Sequence, residues 1–269
     1  MQQAADFRAE AEALAAVTSD LTDADFARET LFKSWTIGDV IGHLHMFDIA
    51  AELSLADEAA FGDFLAPVYK AMGEGRSMIE AQNVWLAEKA LSGCALRDAW
   101  AAQAARTAAA YSDVDPKKRL KWAGPDMSAR SMVTARQMET WAHGQEVFDA
   151  LGRDRVEADR VKNICHLGVT TYGWTFAVRR MTPPEPVPFV RLIAPSGAVW
   201  EWGAVDEANM VSGSAVGFAQ TVAQTRNVAD TDIETTGEAA ALWMANAQCF
   251  AGAPNDPPAP GARHKAKEA

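Results

Sequence analysis

Cysteine is scarce in this 269-residue chain: Cys94, Cys165 and Cys249 are odd in number, far apart and without a CxxC pair. That excludes a disulfide framework and a thiolate zinc site, and it fits a reducing compartment. Basic residues are also in short supply, 25 Lys and Arg against 36 Asp and Glu, for a formal net charge of -11 and a pI near 4.9. A nucleic-acid backbone or an anionic membrane surface would repel such a chain, so neither is an expected partner. No apolar run reaches the roughly 18 residues of a membrane span, and MQQAADFRAEAEALAA carries acids where an export signal needs a basic start. The expected location is the cytoplasm.

Strand signals are nearly absent before about Arg180. Alanine-rich stretches with apolar residues three and four apart instead predict helices over 4–17, 36–55, 58–90 (interrupted near Gly73 and Gly75), 97–112, 128–151 and 158–180. Five or six such helices imply an antiparallel bundle. The segment MTPPEPVP, Met181 to Pro188, has four prolines in eight residues and reads as a domain boundary. Beyond it, FVRLIA, the turn PSG and AVWEWG read as a β-hairpin, MVSGS and DTDIETT as short strands, and Ser214–Arg226 and Gly237–Phe250 as helices. The expected division is thus a mainly α bundle over 1–181, a small α+β domain over 189–251, and a tail over 252–269, rich in proline, glycine and charge, left disordered.

IGHLHMFD, Ile41 to Asp48, carries two of the five histidines. Its helix starts with Ser34 or Thr36 as cap, Thr36 and Asp39 having capping-box spacing, and buries a stripe of Ile37, Val40, Ile41, Leu44 and Ala51. His43 and His45 project about 160° apart and flank the stripe on opposite sides, so one regular helix cannot aim both at one metal. On the helix SARSMVTARQMETWAHGQEVFDALG, Glu139 and His143 stand four residues apart on one face. ExxxH alone is a weak pattern and needs a third ligand. A histidine on the other long helix, His43 for example, would complete a three-ligand site with an open position, suited to Zn²⁺ and also to Fe²⁺ or Ni²⁺.

WTIGDVIGHLHMFD (Trp35 to Asp48) and WAGPDMSARSMVTARQMETWAHGQEVFDALG (Trp122 to Gly152) resemble the metal-binding segments of the mycothiol-dependent maleylpyruvate isomerase family, within the DinB-like helical bundle superfamily. The patterns WxxxDVxxHL and ExWxHGQ(D/E)VxDALG together carry the resemblance. It implies a DinB-like bundle, a divalent metal, usually zinc, and a low-molecular-weight thiol as cosubstrate. By position the implied ligands are His43, Glu139 and His143. His45 matches none, and its structural reading is a side chain hydrogen-bonded near Asp48 or Glu52. The resemblance further implies an arginine from a smaller C-terminal α+β domain, for which Arg226 in QTVAQTRNVADTD is the candidate and Arg191 an alternative. The competing reading of Arg226 is a cation at its helix's C-terminus.

Other features have plainer readings. Cys165 and His166 point about 100° apart on a helix and read as packing residues rather than a catalytic pair. KKRLK, Lys117 to Lys121, reads as a solvated loop, with the holding of an anionic substrate beside the metal helix as the alternative. Trp35, Trp122, Trp141 and Trp174 are expected to wedge the bundle, and Trp243 to pack the second domain. The activity expected from the resemblance is thiol-dependent cis-trans isomerisation of a small carboxylate-bearing substrate. A thiol S-transferase, a metal-dependent hydrolase and a non-catalytic metal or small-molecule binding protein are the alternatives.

Overall fold

The computed structural model describes residues 1–266 and resolves into two compact units, residues 1–153 with Ala266, and residues 154–265. Each is built around its own core.

The first unit is helical: α1 (Gln2–Val17), α2 (Ile37–Ala56), α3 (Glu58–Gly73), α4 (Met78–Glu88), α5 (Gly93–Ser112) and α6 (Ala129–Ala150). Helices α1 and α2 each pack on α5 and α6, while α3 and α4 lie on α2. The predicted stripe of α2 is completely buried, joined by Phe7, Leu14, Trp100, Tyr111 and Met132 from the other helices. Thr36 is the N-cap of α2 with the full reciprocal box: its hydroxyl accepts from Asp39 N at 3.0 Å and its own N–H donates to the Asp39 carboxylate at 2.9 Å. The expected break after α3 is there, with Gly75 at φ +90° and Ser77 capping α4.

The basic side chains of KKRLK are exposed as expected, but the segment is not simply a loop. Arg119–Leu120 is strand β1, paired antiparallel with β2 (Met127–Ser128), and Leu120 is buried. Lys118 Nζ donates to the Leu55 carbonyl at 3.1 Å, so the basic run is tied to the end of α2.

In the second unit α7 (Lys162–Thr170) and α8 (Tyr172–Ala177) precede β3 (Phe189–Ile193), β4 (Val199–Trp202), β5 (Met210–Ser214), α9 (Ala215–Val222), β6 (Glu234–Thr236) and α10 (Glu238–Asn246). The sheet order is β4-β3-β5-β6; β3 pairs antiparallel with β4 and parallel with β5, and β5 antiparallel with β6. The hairpin and both short strands stand where the sequence predicts them.

Three expectations need correction here. The expected single helix over 158–180 is broken into a 3-10 turn, α7 and α8. The Thr170 and Thr171 hydroxyls bond back to the carbonyls of His166 and Leu167 at 2.9 and 2.7 Å, the local competition that ends a helix. Next, the proline segment lies inside the second unit, and the division falls at Arg153. Helix α7 packs on α9 so closely that a Cβ at Gly168 would sit 2.8 Å from Val222. Trp174 Nε1 also reaches the Phe250 carbonyl at 3.0 Å, and Tyr172 meets Trp243 edge to face. Finally, the stretch 252–266 is not disordered. Asn255 N donates to Gln248 Oε1 at 3.0 Å, Asn227 Nδ2 to the Pro258 carbonyl at 2.8 Å, and Gly261 N to Asp230 at 2.9 Å. The expectation for 267–269 lies outside the described residues.

Candidate metal centre

Helices α2 and α6 bring His43, Glu139 and His143 together. Glu139 Oε2 is 3.5 Å from His43 Nε2 and 3.4 Å from His143 Nε2, and all three ligand atoms lie within 4.8 Å of one another. His43 is 7 % exposed and its Nδ1 has no hydrogen-bond partner among the described residues. Burial pushes the His43 imidazole down to about 4, more than the neighbouring Glu139 raises it, so its ring is neutral at pH 7. Burial opposes ionisation of Glu139, but the two imidazoles beside it, His143 and His43, outweigh that and hold the carboxyl well below the usual range. A neutral imidazole and an ionised carboxylate are the forms that ligate metals.

The donor set fits a small divalent ion. Three donors arranged tetrahedrally at about 2.1 Å from zinc stand about 3.4 Å from one another. The observed 3.4 and 3.5 Å match that spacing and are longer than good N–H···O hydrogen bonds.

Aromatic rings wall the cluster. Trp35 stacks on His143 at 5.4 Å between centroids and 14° between planes, Phe32 meets the same imidazole edge-on at 5.1 Å, and Phe47 lies 4.7 Å from His43. Trp35 is therefore half-buried, packed against the bundle core as expected and also against the cluster. Trp141 is fully buried as expected, Trp122 packs against Phe47 and Phe61, and Trp174 and Trp243 belong to the second unit. The tryptophan sits at the start of WxxxDVxxHL, eight residues before His43, so its place in the motif was the available signal.

His45 stays apart from the cluster, and its expected partners are taken. Asp48 accepts from Arg136 and Trp100, and Glu52 accepts from Gln103. His45 is buried instead against Trp85, ring centroids 5.8 Å apart, and its Nδ1 has no hydrogen-bond partner among the described residues. Burial, with Arg106 and Lys89 adding to it, pushes its imidazole down to about 4.

Arg226 sits in the second unit, four residues past the end of α9, partly buried, with Nη1 donating to the Thr225 carbonyl at 2.9 Å. Arg191 is an exposed residue of β3, 3.6 Å from Glu201 across the hairpin. Cys165 is buried, its Sγ donating to the Ala215 carbonyl at 3.3 Å and its thiol pushed up by that burial. His166 is exposed, so it is not the packing residue expected.

Fold and cluster together define a helical-bundle protein with a His₂Glu donor set in its first unit, followed by a small α+β unit. The family model for the mycothiol maleylpyruvate isomerase N-terminal domain matches residues 7–148, more than half of the chain, and the chain belongs to that family. Two proteins of Mycobacterium tuberculosis, described as uncharacterized proteins MT0041 and Rv0036c, are 39% identical to it over 250 residues, 93% of this chain and 95% of theirs. Two crystal structures of mycothiol-dependent maleylpyruvate isomerase, one of a histidine-to-alanine variant, share the fold. Their TM-score is 0.50 at 18% and 19% identity, covering 82% of this chain and 87% of each of those.

Proposed function

We propose that this protein is a metal-dependent enzyme that uses a low-molecular-weight thiol, with His43, Glu139 and His143 holding a divalent ion, zinc first among the candidates. The observation that carries the reading is the convergence of two imidazoles and a carboxylate from two helices, with Glu139 3.4 and 3.5 Å from the two imidazoles and all three donor atoms within 4.8 Å of one another. Family membership supports a thiol cosubstrate and an isomerase-like reaction.

When bound, the ion would supply electrostatic stabilisation of a thiolate at neutral pH. His43 contributes a neutral ring and Glu139 an ionised carboxylate, so neither needs to shed a proton first. Trp35, Phe32 and Phe47 orient the two imidazoles and keep water from their faces.

In the isomerase reading the thiolate adds to a double bond conjugated to a carbonyl, and the electron pair moves onto the carbonyl oxygen. Rotation follows about the resulting single bond. Collapse of the enolate then re-forms the double bond and expels the thiolate, so no thiol is consumed. A maleylpyruvate-like substrate suits this sequence, and Arg226 would pair with its carboxylate through two parallel hydrogen bonds. S-transfer differs only in that the conjugate is released.

Metal analysis of purified protein tests the ligand set. About one divalent ion per chain is expected, with His43→Ala and His143→Ala lowering zinc affinity by at least tenfold. Parent-level binding in both variants would overturn the site. With metal-loaded protein, thermal shifts against mycothiol, bacillithiol and glutathione identify the thiol. Catalytic recovery of free thiol supports the isomerase, stable conjugates the transferase, and thiol-independent turnover a hydrolase.

A further inference from the structure

One turn below the donor cluster, the same two helices share a charged pair sealed from solvent. Arg136 is 1 % exposed and Asp48 0 %. Arg136 Nε donates to Asp48 Oδ1 at 2.8 Å and an Nη of Arg136 to the Leu44 carbonyl at 3.4 Å, while Trp100 Nε1 on α5 donates to Asp48 Oδ2 at 3.1 Å. The Thr107 hydroxyl of α5 donates to the Asp48 carbonyl at 3.1 Å. The residues that bond this pair are themselves buried: Leu44, Trp100 and Thr107 are each 0 % exposed.

A buried ion pair is a poor source of cohesion, because removing both charges from water costs about as much as their attraction returns, and apolar residues of similar volume often stabilise as well or better. What it does supply is direction. Apolar stripes on two packed helices can slide by part of a residue at little cost, whereas a guanidinium bonding a carboxylate and a backbone carbonyl cannot. The positions matter for the cluster. Arg136, Glu139 and His143 follow one another at i, i+3 and i+7 on one face of α6. On α2, the Arg136 contacts fall on Leu44, next to His43, and on Asp48, one turn further.

We propose that the Asp48–Arg136 pair is a positioning device: it sets the register of α2 against α6 so that His43 meets Glu139 and His143. The proposal rests on the metal-site reading above. The hydrogen bonds of the Asp48 and Arg136 side chains go to Leu44, Trp100 and each other rather than to the donors, although Arg136 lies close enough to His43, and Asp48 to Glu139, to interact electrostatically; the pair acts through the helices that carry the ligands.

The test uses full-length Asp48→Leu/Arg136→Met, which fills the space with apolar side chains, and Arg136→Lys, which keeps the charge and loses the two-pronged contact. The expected result is unfolding close to that of the parent in the metal-free double variant, but zinc affinity, measured by chelator competition, at least tenfold weaker in both variants. Cobalt-loaded samples should show an altered d–d spectrum. A metal-independent readout accompanies these: NMR contacts of the Trp35 ring with the His43 and His143 rings, present in the parent, should weaken in both variants. Parent-level zinc affinity with intact ring contacts overturns the proposal. So does failure of the double variant to fold, which would make the pair a source of cohesion rather than register. If the parent itself binds no zinc, the metal reading fails, and the ring contacts alone decide the register.

Discussion

His43 and His45 are both buried on α2 and are both pushed down to about 4, yet they keep different company. His43 faces Glu139 and His143, and His45 faces Trp85 with Arg106 and Lys89 nearby. The unfolded chain protonates a histidine near 6.5, whereas the folded protein keeps these two neutral down to about 4. Their contribution is therefore fully present above pH 6.5 and is lost as the pH falls towards 4, by about 1.4 kcal/mol per pH unit for each. Urea unfolding of metal-free protein at pH 7 and pH 5 should show that loss, and His45→Phe should reduce it by about half. An unchanged pH dependence in His45→Phe would reject this account. Helical projection could separate the two histidines but not rank them, because rank depends on what α6 and α4 present to each side, and that is a property of packing.

Helix α2 was readable almost to the residue, since its cap, stripe and end are local features. The Thr36 box is a case where local chemistry positions a site: the cap anchors the first turn, and His43 follows two turns later. Thr36→Ala should cost about 1 kcal/mol in unfolding free energy, measured by urea titration; a change below a few tenths would show the cap to be redundant. Helix α5 behaves otherwise. Its expected start, near residue 97, falls a turn late because Ser92 makes no side-chain cap and Asp23, about seventy residues earlier, accepts from Cys94 N at 2.8 Å instead. A Cβ at Gly93, where φ is +53°, would run into that same carboxylate. A cap supplied from elsewhere in the chain leaves no trace at the helix it caps. The shortening of α9 has a similar cause: Gln224 adopts φ +56° and spends its side-chain amide on the carbonyls of Ala247 and Asn255, at 2.9 and 2.7 Å.

At the scale of the whole chain, composition marked a change of texture at the prolines but not the division between cores. A switch from helix to strand says which secondary structure follows, not which neighbours a helix chooses, and α7 and α8 chose α9 and α10. The stretch after Gly252 shows the same gap. It has little apolar surface, yet it satisfies the buried amides of Gln224 and Gln248, and Arg179 and Arg263 bond into it or from it. Removing residues 252–269 should strand those amides, at about 1–3 kcal/mol each. Hydrogen exchange over 220–227 and 246–250 should then quicken by at least tenfold, and parent-level protection would show the contacts to be incidental. The sequence by itself determined the mainly α class, the helix that bears IGHLHMFD and, through the paired motifs, the family and the three candidate ligands. Periodicity and short motifs are written in neighbouring residues, so they survive without coordinates. Only the tertiary structure decided that Glu139 meets His43 and His143 at 3.5 and 3.4 Å, that His45 turns to Trp85, and that Asp48 and Arg136 lock beneath the cluster. Those depend on how two helices nearly a hundred residues apart are rotated and slid against each other, which is set by the packing of the core.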